Sequence, residues 1–207
     1  MRFPEKWKNR TTRLMQIMLL GMLAAGLYTR SSKIVINSAL GLGVSFLPAI
    51  FERDYSFSIS PFLSLWITSA VFFHALGSFG LYGAVSWWDH FTHSLSASLV
   101  AGTGYTVIRS IDLHKPDIRL PDRFMFVFIL MTVVAFGVVW ELFEFGLDLV
   151  ATATEISMPL AQHGLSDTMK DMSFNLAGAV IAAFLGQAYL SELSEKLFKQ
   201  LDNRNVS

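Results

Sequence analysis

The chain contains no cysteine, which excludes disulfides, thiolate metal ligation and any redox-thiol mechanism. Charge is scarce as well. Only 15% of the 207 residues are Asp, Glu, Lys or Arg, against 53% hydrophobic, a balance too apolar for an ordinary soluble domain of this length. The formal net charge is zero, and no basic, aromatic-interleaved patch points to a nucleic acid. No repeat, low-complexity tract or soluble domain interrupts the chain, so residues 1–207 read as one integral membrane domain whose first partner is the lipid bilayer.

Against these absences stand six apolar runs, near residues 14–28, 34–51, 60–82, 91–111, 124–150 and 172–190. A helix rising about 1.5 Å per residue needs about 20 residues to cross roughly 30 Å of hydrocarbon. The first two runs are short by that measure. The expectation is an all-α, polytopic membrane bundle of about six transmembrane helices. The first run, LMQIMLLGMLAAGLY, follows Arg2, Lys6, Lys8, Arg10 and Arg13 in the manner of a signal peptide. It lacks a small-residue cleavage site and is read as a retained helix.

Basic residues gather on the cytoplasmic side of a membrane protein. With the N-terminus inside, the cytoplasmic segments hold thirteen of the sixteen Lys and Arg: the five just named, Arg53, then Arg109, Lys115, Arg119 and Arg123, then Lys196, Lys199 and Arg204. Arg30, Lys33 and Lys170 fall outside. This split predicts both termini in the cytoplasm and a multi-pass protein of the cytoplasmic (inner) membrane.

The same topology sorts the acids. Asp89, His90 and His93 lie at the outer start of the fourth helix, Glu141, Glu144 and Asp148 near the outer end of the fifth, and Asp167, Asp171 and Asn175 at the outer start of the sixth. Residues three or four apart share a helix face. Asp89 with His93, Glu141 with Glu144, Glu144 with Asp148, Asp167 with Asp171 and Asp171 with Asn175 all meet that spacing. Measured from Phe124, Glu141 lies about 26 Å along its helix, within a turn of the outer boundary. The three stripes are expected to meet in one shallow, outward-facing pocket.

Such a pocket would gather the carboxylates of Asp89, Glu141, Glu144, Asp167 and Asp171, with Lys170 the only adjacent Lys or Arg. Like charges in a low-dielectric site need a counter-charge, supplied by protons or by a metal. Asp, Glu, His and Asn form a hard, oxygen-rich and imidazole-containing donor set that suits Mg, Mn, Fe or Zn, and helical bundles build metal sites from such facing groups. The expected ligands are Asp89, His90, His93, Glu141, Glu144, Asp167, Asp171 and Asn175.

Plainer readings stand beside this one. Acids at a helix end can face interfacial water, and Asp167 and Asp171 suit the positive end of a helix dipole. Trp87 and Trp88 read as aromatic-belt anchors. His74, mid-span in the third helix, reads as an interhelical hydrogen-bonding group, and His114 carries no assignment. Ser94, Ser98 and Gly102, with Gly178, Ala182 and Gly186, form small-residue seams along which helices approach closely.

The segments DHFTH, WELFEFGLD and DTMKDMSFNLAGA resemble the YjdF-like family of uncharacterised inner-membrane proteins, over roughly Trp87 to Ala179. More loosely, their order is similar to that of VanZ-like membrane proteins. The resemblance implies a bundle of about six helices and matches Asp89, His90 or His93, Glu141, Glu144, Asp167, Asp171 and Asn175, while His163 matches nothing. It implies no established reaction.

Three functions follow. One is a metal-dependent enzyme acting on a lipid or lipid-linked substrate at the outer leaflet, with the ion as Lewis acid and a spare carboxylate or histidine as base. No serine nucleophile motif, P-loop or phosphate-clamping arginine cluster accompanies it. The second is an ion- or proton-coupled transporter or sensor, which would need polar groups continuing toward the cytoplasm beyond His74. The third is a non-catalytic membrane protein whose ion ties helices together.

Overall fold

The computed structural model describes residues 5–55, 59–114, 120–154 and 164–183. Arg2, Lys115, Arg119, His163, Gly186, Lys196, Lys199 and Arg204, and the sixth run beyond residue 183, lie outside the described residues. Within them the fold is all-α, with no strand. Six helices follow in order: α1 (Glu5–Thr29), α2 (Ser32–Tyr55), α3 (Pro61–Ala84), α4 (Trp88–His114), α5 (Asp122–Thr154) and α6 (residues 164–183 less the leading Gly164).

α1, α2, α4 and α5 each contain their expected apolar run and reach beyond it, α3 starts one residue inside its run, and α6 carries the described part of the sixth. α1 begins at Glu5 rather than near residue 14, because Lys, Arg and Glu are good helix formers and hydropathy locates the lipid-facing part of a helix, not its ends. The start of α3 is set by a cap: Ser60 accepts a hydrogen bond from the Leu63 amide at 3.2 Å, and Pro61 occupies the first turn, where its missing N–H costs nothing. α1 stops in a Schellman arrangement, the Ser31 amide donating to the Gly26 carbonyl at 2.9 Å and the Arg30 amide to the Leu27 carbonyl at 3.3 Å. Arg30 takes the left-handed position, φ 55°, that glycine usually fills.

Three stretches are long and apolar enough to cross a membrane among the described residues: Ser32–Asp54, Pro61–Ala84 and Arg123–Val150. Large apolar side chains remain exposed along α1 and α5, among them Ile17, Leu20, Met131, Phe136, Val139 and Leu142. Water penalises such a surface and hydrocarbon does not.

The chain divides into two compact units. The first comprises Met1–Thr92 and Glu141–Thr168. Its centre is a cluster of Leu19, Met22, Phe72 and Ala75, flanked by Met15, Leu42, Phe73 and Leu76, so α1, α2 and α3 pack on one another. α3 does not run straight. A π-helical turn, Gly77–Leu81, interrupts it, and Gly80 sits at φ 148°, a backbone conformation that glycine alone adopts without strain. The axis breaks there, and the chain enters α4 after Ala84.

The second unit comprises His93–Trp140 and Met169–Ser207. Its buried apolar side chains come from α4 (Ala97, Ala101, Tyr105, Ile108), α5 (Met125, Ile129, Val133) and α6 (Ala179, Ala182). Gly104 lies against Thr132 and Gly137 against Met172, which places α5 beside both of the others.

Candidate metal centre

The second unit brings α4 and α6 together by a backbone contact. At Gly178 a Cβ would overlap the Ser94 carbonyl oxygen and come within 2.9 Å of the Ser94 Cα, so only glycine permits this approach. One turn earlier on α6, the Phe174 carbonyl accepts a hydrogen bond from Ser94 Oγ at 3.0 Å. The small-residue seam expected between these helices is real at Ser94 and Gly178, with Ala182 buried further along.

One residue before Ser94 and one turn before Phe174, the same crossing presents His93 to Asp171. His93 Nε2 stands 3.9 Å from Asp171 Oδ1, and the two side chains are only 12% and 4% exposed. This separation is too long for a hydrogen bond. It is, however, within the reach of a shared cation, because two ligands each about 2.0–2.2 Å from one ion stand no more than about 4.4 Å apart. Asn175, one turn on from Asp171, is also buried, with its Nδ2 close to Gly137 of α5.

Asp89 lies one turn before His93 on the continuous helix α4, with ligand-capable atoms of the two residues within 4.8 Å. It occupies the first turn of that helix, where the dipole favours a carboxylate. An Asp/His cluster is thus centred on His93. His90, half-buried, projects from the flank of the face that carries Asp89 and His93.

Asp89 and His90 fall within the first unit, as do the remaining expected residues. Glu141 is 7% exposed, and its Oε1 is enclosed with no hydrogen-bond partner among the described residues. Glu144 and Asp148, on the same face of α5, are half-buried, and so is Asp167 in the first turn of α6. A buried carboxylate oxygen without a donor is costly unless it is protonated or meets a cation.

Residues 11–192 match the family described as predicted membrane protein (DUF2238). The chain belongs to that family. The YjdF-like resemblance of the DHFTH, WELFEFGLD and DTMKDMSFNLAGA segments agrees with this membership. An uncharacterized protein of Thermotoga maritima is 27% identical over 140 residues, covering 67% of this chain and 68% of that protein. No solved structure matches.

Two polar residues of the first unit escaped the reading of the sequence. Tyr82 places its hydroxyl 2.7 Å from His74 Nδ1 and 3.4 Å from Thr92 Oγ1. His74 bonds as expected of a mid-span histidine, but its partner lies eight residues on. In a straight helix that interval spans about 12 Å, and only the break at Gly80 closes it.

Proposed function

We propose that this DUF2238 protein is a multi-pass inner-membrane protein, crossing the bilayer six times with both termini in the cytoplasm, that binds a divalent cation at the outer ends of α4, α5 and α6. His93, Asp171 and Asp89 are the primary ligands, and Glu141, Glu144, Asp167, Asn175 and His90 are the further candidates. The observation that carries the reading is the 3.9 Å approach of the largely buried His93 and Asp171 side chains. On α5, Glu141 Oε1 is buried with no hydrogen-bond partner among the described residues, which keeps Glu141 a candidate donor.

One imidazole nitrogen with several carboxylate oxygens is a donor set for Zn, Mn, Fe or Mg rather than for a soft ion. A divalent ion held there supplies Lewis acidity toward a phosphoryl or carbonyl oxygen, or toward a bound water. The chain's own part is to hold the donors in place. The Ser94–Gly178 contact fixes the spacing of His93 and Asp171, and the apolar packing around them excludes water. A site at headgroup depth suits a lipid or lipid-linked substrate, so the protein acts as a metal-dependent enzyme of the outer leaflet, with Glu144 or His90 available as a general base.

Cobalt substitution tests this. Wild-type protein should show the weak visible bands of a cobalt ion in nitrogen and oxygen coordination, and His93→Ala and Asp171→Asn should each abolish them. Wild-type protein with no cobalt bands at saturating ion sinks the reading.

A second reading, ion or proton transfer, draws on the His74–Tyr82–Thr92 contacts, which extend the polar groups of the span from His74 toward the outer ends of α3 and α4 and add none on its cytoplasmic side. Proteoliposomes that acidify or alkalinise with the wild type, but not with Tyr82→Phe, would favour it over the enzyme.

A further inference from the structure

The corner between α3 and α4 holds three hydroxyl or imidazole groups in a row. Tyr82 Oη stands 2.7 Å from His74 Nδ1 and 3.4 Å from Thr92 Oγ1, and Thr92 Oγ1 donates to the Asp89 carbonyl at 2.8 Å. Thr92 is 1% exposed, so water does not compete for it. Tyr82 itself is clamped: the Lys33 ammonium lies 5.9 Å from its ring centroid, and a Cβ at Gly77 would come within 2.6 Å of its ring carbons. The Trp88 indole N–H donates to the Phe73 carbonyl at 3.1 Å, a second tie between the two helices.

Proton counting gives this row a direction. A hydroxyl carries one proton, and that of Thr92 is committed to the Asp89 carbonyl. Thr92 Oγ1 can then meet Tyr82 only as an acceptor, so the tyrosine hydroxyl donates to it. With that proton used, Tyr82 Oη can meet His74 only as an acceptor, so Nδ1 of His74 carries hydrogen. The single arrangement that satisfies all three contacts runs from His74 Nδ1–H to Tyr82, from Tyr82 to Thr92, and from Thr92 to the backbone of Asp89. The lone pair of the neutral imidazole then lies on Nε2.

We propose that His74 is a positioning residue: held as the Nδ1–H tautomer, it acts through Tyr82 and Thr92 to hold the first turn of α4, which carries Asp89 and leads directly into His93. Short hydrogen-bonded chains of this kind orient metal ligands from outside the coordination sphere, and single π-turns inside helices occur frequently at functional sites. The inference rests on the cation-site reading for its purpose, but not for its geometry. His74 touches neither ion nor substrate in this scheme.

Nitrogen NMR of the full-length protein in nanodiscs, labelled with nitrogen-15 histidine, tests the chain without any metal. The signal removed by His74→Gln should report a protonated Nδ1 and an unprotonated Nε2, and in Tyr82→Phe it should shift toward the opposite tautomer. Hydrogen exchange at residues 88–93 should rise about tenfold in Tyr82→Phe and in Thr92→Val, with α5 unchanged as the control for folding, whereas Thr92→Ser, which keeps the hydroxyl, should exchange like wild type. Cobalt bound to Tyr82→Phe should show shifted visible bands. An Nε2–H tautomer in wild type, or wild-type exchange in both hydroxyl-deleting variants, overturns the proposal. If tautomer and exchange respond as stated but wild type takes up no cobalt, the corner stands and the cation site falls. If cobalt binds and the tautomer is reversed, the site stands and the relay falls.

Discussion

His93 Nε2 and Asp171 Oδ1 face one another at 3.9 Å across the α4–α6 crossing, next to Ser94 on α4 and about two turns along α6 from Gly178, which meets the Ser94 backbone. The distance is a product of that crossing. Two helices whose backbones touch at a glycine cannot vary their separation by much a turn or two away, because any side chain larger than hydrogen moves both.

Gly178→Val should therefore act on cation binding as well as on stability. Overpacking of this kind costs about 1–3 kcal/mol, and the widened His93–Asp171 gap should weaken zinc binding by at least about tenfold, read by competition with a chromophoric chelator. Ser94→Ala removes one hydrogen bond and should cost only about 0.5–1.5 kcal/mol, with zinc affinity nearly preserved. Equal zinc affinity in Gly178→Val and wild type would separate the crossing from the site.

Glu141→Gln should change sign with metal. In chelator-stripped protein the substitution replaces a buried carboxylate whose Oε1 has no hydrogen-bond partner among the described residues, so thermal stability should rise. In zinc-loaded protein it removes a negative ligand, so the stabilisation gained on adding zinc should shrink. Melting curves of both proteins, with and without zinc, read the two effects directly.

How far the residues could be placed without coordinates follows from the helix period. Asp89 and His93, and Asp171 and Asn175, are four apart, so any helix through them puts each pair on one face; those shared faces were legible for that reason, whereas the approach of His93 to Asp171 depends on how α4 and α6 cross. The Ser94–Gly178 seam was legible too, because small residues at four-residue spacing announce close packing in membranes. Tyr82 was not. Its bond to His74 depends on a π-turn and on the break at Gly80, and no fixed periodicity passes through either. The beginning of α1 was also hidden, since residues 5–13 are helical but polar, and apolar content was the signal used. Glu141 could be given a face and a height in the membrane but not a degree of burial, because burial depends on neighbours far away in the chain.

Arg30→Gly should stabilise the protein. Arg30 closes α1 at φ 55°, where a side chain costs about 1–2 kcal/mol that glycine does not pay, offset in part by the greater freedom of glycine in the unfolded chain. A net gain of about 0.5–1 kcal/mol in denaturant unfolding is the expected result, with cobalt bands unchanged because the α1 terminus is remote in sequence from every proposed ligand.

Membrane topology carries its own test. With six crossings and a cytoplasmic N-terminus, a reporter fused after Ser207 should be active only as a cytoplasmic reporter, and one inserted between Thr29 and Ser32 only as an extracytoplasmic one. An extracytoplasmic C-terminus would break the assignment of Asp89, Glu141 and Asp171 to one side of the membrane.

Metal content tests the central claim most directly. Elemental analysis of detergent-purified wild type, Asp171→Asn and His93→Ala, with melting curves before and after chelation, should find close to one divalent ion per wild-type chain, almost none in either variant, and a fall in wild-type stability on stripping. Wild-type protein that carries no divalent ion, takes none up on incubation, and melts at the same temperature with and without chelator would contradict the account.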